Sequence, residues 1–224
     1  MKNGTLFVVA TPIGNLNDLS PRAAEILKTI DFVACEDTRT SSKILNKIES
    51  RARKISFHEN SNPEKIWEIL KIGKNVALIS DAGTPNICDP GGKLVAFCAE
   101  KNCEIVAVAG PSALTAALSA CGFFVAHFEF FGFLPHKKGR EKIFKKIKEI
   151  EHACVLFESK HRIEKFLKSA IEFFGERKMC VGREISKINE EFLRGNAAEI
   201  LEILQKNPQK LRGEFAVVVA PMKI

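Results

Sequence analysis

Small, hydroxyl-bearing and proline residues crowd into three short stretches of this chain. They are Thr11-Pro12-Ile13-Gly14-Asn15, Ser80-Asp81-Ala82-Gly83-Thr84-Pro85 and Gly110-Pro111-Ser112-Ala113. Such residues leave main-chain N–H groups unobstructed, so a small ligand can approach the backbone. Asp81 adds a carboxylate suited to an ammonium or a ribose hydroxyl. A second set is titratable: Glu36-Asp37-Thr38-Arg39-Thr40, His58 within SFHEN, Glu158-Ser159-Lys160, and Arg183-Glu184 with Glu190-Glu191. Carboxylates and an imidazole can accept or relay a proton, and the planar fork of Arg39 suits a phosphate or a carboxylate. For Arg183-Glu184, ion pairing between the two halves of the chain competes with a role in chemistry. No GxxxxGK[ST], GxGxxG or HExxH occurs. Nucleotide, dinucleotide and zinc-protease chemistry of the usual kinds is therefore disfavoured.

Short β-branched runs that alternate with helical patterns must position these residues, which is the mark of βαβ units and a mainly parallel sheet. Strands are expected at 5–10, 32–35, 54–57, 75–80 and 104–109, with helices between them. Ser20-Pro21 and Asn62-Pro63 are cap-and-proline helix starts, and a helix is expected around 41–48. The three small-residue stretches then follow the first, fourth and fifth strands, at the carboxyl ends where α/β sheets bind ligands. After Gly110-Pro111 the pattern changes to a small-residue helix, an aromatic run at 127–133 and a basic helix. Strands follow at 153–157, 178–183 and 214–219, with helices between. The expected fold is α/β with two domains, 1–113 and 114–224. The first sheet is mainly parallel and the second mixed.

The chain has 224 residues, 46% hydrophobic and 27% charged, as in an ordinary globular protein. Neither a secretory signal nor an apolar run long enough to cross a bilayer is evident, so a soluble protein of the cytoplasm without membrane contact is expected. Seven cysteines without a CxxC pair fit a reducing compartment and give no metal site. A net charge of +7 suits a polyanionic partner. Seven lysines and arginines fall between 136 and 148, and Lys160, Arg162, Lys165 and Lys168 follow. These are either solvated helix faces or contacts to phosphates.

The motifs around these loops resemble one family closely. They are TPIGNLNDLSPRA at 11–23, EDTRTSSKIL at 36–45, HEN at 58–60, SDAGTPNICDPG at 80–91 and GPSALTAALSACG at 110–122. GFLPHKKGRE at 132–141, FESKHRI at 157–163, REISKINEE at 183–191 and GEFAVV at 213–218 complete the series. Together they span nearly the whole chain and resemble the ribosomal RNA small subunit methyltransferase I family, of the tetrapyrrole methylase superfamily. The resemblance implies a homodimer with S-adenosylmethionine in a cleft between its two domains. It implies methylation of a ribose 2′-oxygen on a cytidine in the decoding region of 16S rRNA, within the 30S subunit. The implied cofactor contacts are Pro12, Ser80, Asp81, Ala82, Gly83, Thr84, Gly110, Pro111, Ser112 and Ala113, with Phe133, Glu158 and Gly213 from the second domain. Many members continue beyond the final strand, so RNA docking by such a segment is expected either to be absent here or to be supplied by the basic surface around Lys137 to Lys148.

A ribose hydroxyl is a poor nucleophile, so Glu36, Asp37, His58 or Asp81 is expected to take its proton, with Arg39 orienting a carboxylate or a phosphate. The expected catalytic set is Glu36, Asp37, Arg39 and His58. Three rival readings are a tetrapyrrole or other small-molecule methylase, an RNA-binding or ribosome-assembly factor without catalysis, and a generic nucleotide-binding α/β protein.

Overall fold

The computed structural model describes residues 2–222, which form two compact units divided between Ser112 and Ala113. The first unit alternates strand and helix: β1 (Leu6–Val9), α1 (Pro21–Thr29), β2 (Phe32–Cys35), α2 (Thr38–Lys47) and β3 (Arg53–Ser56). It continues with α3 (Glu64–Lys71), β4 (Val76–Leu78), α4 (Gly92–Glu100) and β5 (Ile105–Val108). All its strand pairs are parallel, in the order β3-β2-β4-β1-β5.

Because side chains alternate across a strand, β4 buries both of its faces. Val76 and Leu78 join Ile66, Leu70, Leu94 and Cys98 on the side of α3 and α4. Ala77 and the following Ile79 join Ala23, Leu27, Ile44 and Leu45 on the side of α1 and α2. Helices on both faces leave only the strand ends for a ligand. Ser20 caps α1, its hydroxyl accepting the Ala23 N–H at 3.1 Å, with Pro21 in the first turn. The second helix begins at Thr38 rather than at the expected 41, because the Asp37 carboxylate accepts the Arg39 N–H and nucleates it one turn early.

The second unit comprises α5 (Ala113–Ala120), β6 (Phe128–Phe133), α6 (Arg140–Glu149), β7 (Ala153–Ser159) and α7 (Ile163–Phe174). There follow β8 (Met179–Arg183), β9 (Glu191–Gly195), α8 (Ala197–Lys206) and β10 (Glu214–Val219). Its sheet runs β6-β7-β10-β8-β9 and is mixed: β6 and β7 are parallel and the other neighbours antiparallel. The helices α6, α7 and α8 cover one face through Phe144, Phe166, Leu167, Ile200 and Leu204. The small-residue helix α5 covers the other, with Ala117 against Val155, Ala216 and Val218.

The edge strand β9 was not expected from the sequence. Its residues EFLRG carry a single buried side chain, Leu193, so no alternating apolar pattern announces it. No helix of the described residues is long and apolar enough to cross a membrane.

Candidate cofactor site

In a parallel sheet every carboxyl end lies on one edge, and β4, β1 and β5 are direct neighbours. The three small-residue loops therefore emerge side by side. They are also latched together. Thr11 and Gly83 exchange both main-chain hydrogen bonds, N–H to O at 2.8 and 3.0 Å, an isolated antiparallel bridge. The buried Thr11 hydroxyl reaches Ser80 O at 3.1 Å and Gly83 O at 3.3 Å. The Ser80 hydroxyl lies 3.2 Å from Gly83 O, and Thr84 Oγ1 donates to Pro111 O at 3.1 Å.

Two glycines make this closeness possible. Gly83 has φ +81°, and a Cβ there would lie 3.2 Å from the Ile13 side chain. A Cβ on Gly110 would lie 3.0 Å from that of Ala10. Gly83 is thus a structural pivot whose N–H is already engaged. Ala82, at the exposed tip beside Asp81, is the part of the loop turned to solvent. Pro12 is buried, while Gly110, Pro111, Ser112 and Ala113 stand at least partly open.

The titratable residues of the first unit gather at the same edge, on the loops after β2, β3 and β4. Asp81 Oδ1 accepts the Asp37 N–H at 3.2 Å. The Asp37 carboxylate receives Arg39 Nε at 3.2 Å and Nη2 at 2.9 Å, besides capping α2. Hydrogen bonds from the Arg39 side chain and main chain hold its pKa down at about 2. A carboxylate that weakly basic is a poor proton acceptor near neutrality. The Arg39 guanidinium holds the Asp37 carboxylate. Glu36 and His58 are exposed.

Glu36 also lines a cavity of about 520 Å³ with Phe57, Glu59, Asp89 and the start of α4. Asp89 was not singled out from the sequence, although it lies inside SDAGTPNICDPG. Burial pushes its carboxyl up to about 6, with Glu36 and Asp81 adding to the rise and the Ser80 side chain opposing it. The second carboxylate of that motif was the available signal. Among the described residues no group of three or more His, Cys, Asp or Glu is arranged to hold a metal ion.

Three expected site residues belong to the second unit. Phe133 ends β6 and is 54% exposed. Gly213 has φ +108° and lines a cavity of about 610 Å³ with Arg183, Glu184 and Arg212. Glu158 has a fully buried side chain. Arg140 Nη1 and Nη2 each lie 3.1 Å from its Oε1, and Arg162 Nε lies 3.0 Å from its Oε2. Its carboxylate therefore holds two arginines. Arg183 does not pair with Glu184: its guanidinium donates to the carbonyls of Arg212, Asn189 and Gln209. Lys187 takes Glu184 instead, at 2.9 Å.

Residues 5–201 match the family of Tetrapyrrole (Corrin/Porphyrin) Methylases. Proteins called ribosomal RNA small subunit methyltransferase I are similar over nearly the whole chain. The one from Thermotoga maritima is 40% identical over 97% of this chain and 98% of its own. The Synechocystis protein is 40% identical over 97% and 79% respectively, and the Bacillus subtilis protein 39% over 96% and 75%. Among solved structures, a cobalt-precorrin-4 methyltransferase of cobalamin biosynthesis superposes with a TM-score of 0.69 at 16% identity, covering 96% of this chain and 94% of its own. Uroporphyrin-III C-methyltransferase from Thermus thermophilus gives 0.65 at 16%, covering 97% and 94%. At that identity these two speak for the fold alone. With a rim of latched loops and carboxylates on a fold of this kind, and relatives of this closeness, the chain belongs to the tetrapyrrole methylases and, within them, to the ribosomal RNA small subunit methyltransferase I family.

Proposed function

We propose that this chain transfers a methyl group from S-adenosylmethionine to the ribose 2′-oxygen of a cytidine in the decoding region of 16S rRNA. The observation that carries the reading is the latched rim of the first unit, in a chain about 40% identical to relatives named for small subunit rRNA methylation. The donor set fits the cofactor. Asp81 offers a carboxylate to an ammonium or a ribose hydroxyl, and of the loops at Pro12, Ser80 to Thr84 and Gly110 to Ala113 the main chain at Ala82 and Gly110 stands open to a ligand. When bound, S-adenosylmethionine supplies an electrophilic methyl on its sulfonium.

The chain's own part is to orient and to move a proton. In-line displacement rewards fixed geometry, and the Thr11–Gly83 bridge holds two of the loops rigidly against each other. Among the carboxylates, Asp37 is tied to Arg39 and too weakly basic. Asp89 and Glu36 share one cavity, and an acid that ionises near pH 6 is matched to proton transfer near neutrality. We assign the proton-accepting role to this pair, with His58 on the neighbouring loop. The reading includes a homodimer acting on the 30S subunit in the cytoplasm.

Incubation with S-adenosylmethionine labelled on its methyl group, and either under-methylated 30S subunits or naked 16S rRNA, tests the proposal. Label should enter RNA and map to one cytidine ribose. Label in neither substrate overturns it. Label entering a tetrapyrrole in a parallel incubation, and not RNA, would install the small-molecule rival.

A further inference from the structure

The strands β6 and β7 run parallel, with Phe133 opposite Phe157, so the loops that follow them emerge together. On these loops His136, Lys137, Lys138, Lys160 and His161 are exposed. Neither 133–140 nor 159–162 contains an acidic residue, and the intervening Glu158 is buried. Its single carboxylate faces two guanidiniums, those of Arg140 and Arg162. The triad behind the rim therefore carries surplus positive charge. Arg140 is itself nine-tenths buried, and its Nε has no hydrogen-bond partner. Arg162 also lies over the Phe133 ring, its Cζ 5.9 Å from the centroid, and Phe157 supports that ring at 5.6 Å. Half of Phe133 still faces solvent.

The lysine-rich helix α6 differs. Lys145 is paired with Glu141 at 2.7 Å and Lys146 with Glu129. Two of the four lysines of α6 are thus paired with acids, whereas the loop lysines Lys137, Lys138 and Lys160 have no acidic residue within their own loops, and the Arg162 guanidinium beside them lies over an aromatic ring.

We propose that this rim is a docking platform for a single-stranded RNA segment. Phosphates lie on Lys137, Lys138 and Lys160, and one unpaired base stacks on the open face of Phe133. Cation-lined grooves with aromatic platforms hold single strands in this manner, whereas duplex RNA is read by shape and offers no free base face. The inference rests on the reading that the substrate is ribosomal RNA, and it says which surface meets it.

The test is fluorescence anisotropy of a labelled, unstructured RNA oligonucleotide with the full chain across a salt series. The triple variant Lys137→Gln, Lys138→Gln, Lys160→Gln should flatten the log K against log salt slope by about 2, at ~0.7 per lost phosphate contact. Phe133→Ala should weaken binding about tenfold at an unchanged slope. A control pair on α6, Lys142→Gln with Lys148→Gln, should lose less than the rim variants. A triple variant with wild-type affinity and slope overturns the platform, as it would if the rim met an acidic protein instead. So does an α6 pair that loses as much, or a Phe133→Ala protein that loses cofactor rather than RNA. Methyl transfer to 30S subunits is measured alongside. Rim-dependent RNA binding without methyl transfer would remove the proposed activity and keep the platform. Methyl transfer and RNA binding that both ignore the rim would remove the platform and keep the activity.

Discussion

The Asp81 carboxylate accepts the main-chain N–H of Asp37 at 3.2 Å, so one side chain ties the end of β4 to the end of β2. The same carboxylate is the proposed handle for the cofactor's cationic groups. Asp81→Asn keeps an oxygen for the Asp37 N–H but loses the charge. It should weaken S-adenosylmethionine binding by about tenfold to a hundredfold, the range for a hydrogen bond to a charged group. Thermal stability should stay near that of the wild type. Asp81→Ala should lower both. Calorimetric titration alongside thermal unfolding separates the two effects.

Asp89 provides a pH signature of defined sign. Its folded pKa of about 6 lies above the ordinary aspartate value of 3.8, so between those values the folded chain holds more protons than the unfolded one. Its contribution is then largest at low pH and declines as pH rises through about 6. The melting temperature of the wild type relative to Asp89→Asn should fall between about pH 4 and pH 6 and level off above. Methyl transfer should move the other way, rising through about pH 6 as the carboxylate ionises, and Asp89→Asn should remove that limb. A difference in melting temperature that is flat across the window would refute the assignment.

Thr11→Val deletes the hydroxyl that reaches Ser80 O and Gly83 O but leaves the main-chain bridge to Gly83. A stability loss of about 1 kcal/mol is expected. Hydrogen exchange at the Gly83 amide should quicken, and cofactor affinity should fall. Unchanged exchange would show that the main-chain bridge alone holds the latch.

In the second unit, Glu158→Ala leaves two guanidiniums with no carboxylate between them. Removing one partner from a buried ion pair typically costs about 3–5 kcal/mol. Denaturant unfolding should show a loss of that order. Exposed Lys206→Ala, which breaks a pair between side chains 70% and 64% exposed, should change little.

Most strands and helices were legible because their signals are local. The runs LFVV, FVAC and VAL are apolar on both faces, as helix-covered parallel strands must be. Ser20-Pro21 announces its helix. The mixed second sheet was expected, but β9 was not, since an edge strand with one buried side chain borrows its stability from β8 rather than from its own pattern. The rim loops were visible as composition. Their latch was not, because Thr11 and Gly83 are 72 residues apart in sequence. The special status of Asp89 was hidden for a related reason: it depends on burial and on Glu36 and Asp81, which only the fold brings near. Conversely, Asp37 looked like a free acid in the sequence and is a helix cap with a partner.

The bridge between Thr11 and Gly83 also sets a rule for insertions and deletions. Ser80 and Gly83 both answer to Thr11, one to its hydroxyl and the other to its main chain. The stretch between them therefore has a fixed length, and one extra residue there would throw both contacts out of register. Between Leu16 and Leu19, past the rim loop, the chain runs over the surface in a short 3₁₀ turn without a buried residue. Changes in loop length should be tolerated in that segment, which makes it the natural place to graft a tag or a fluorescent label close to the rim without unfastening it.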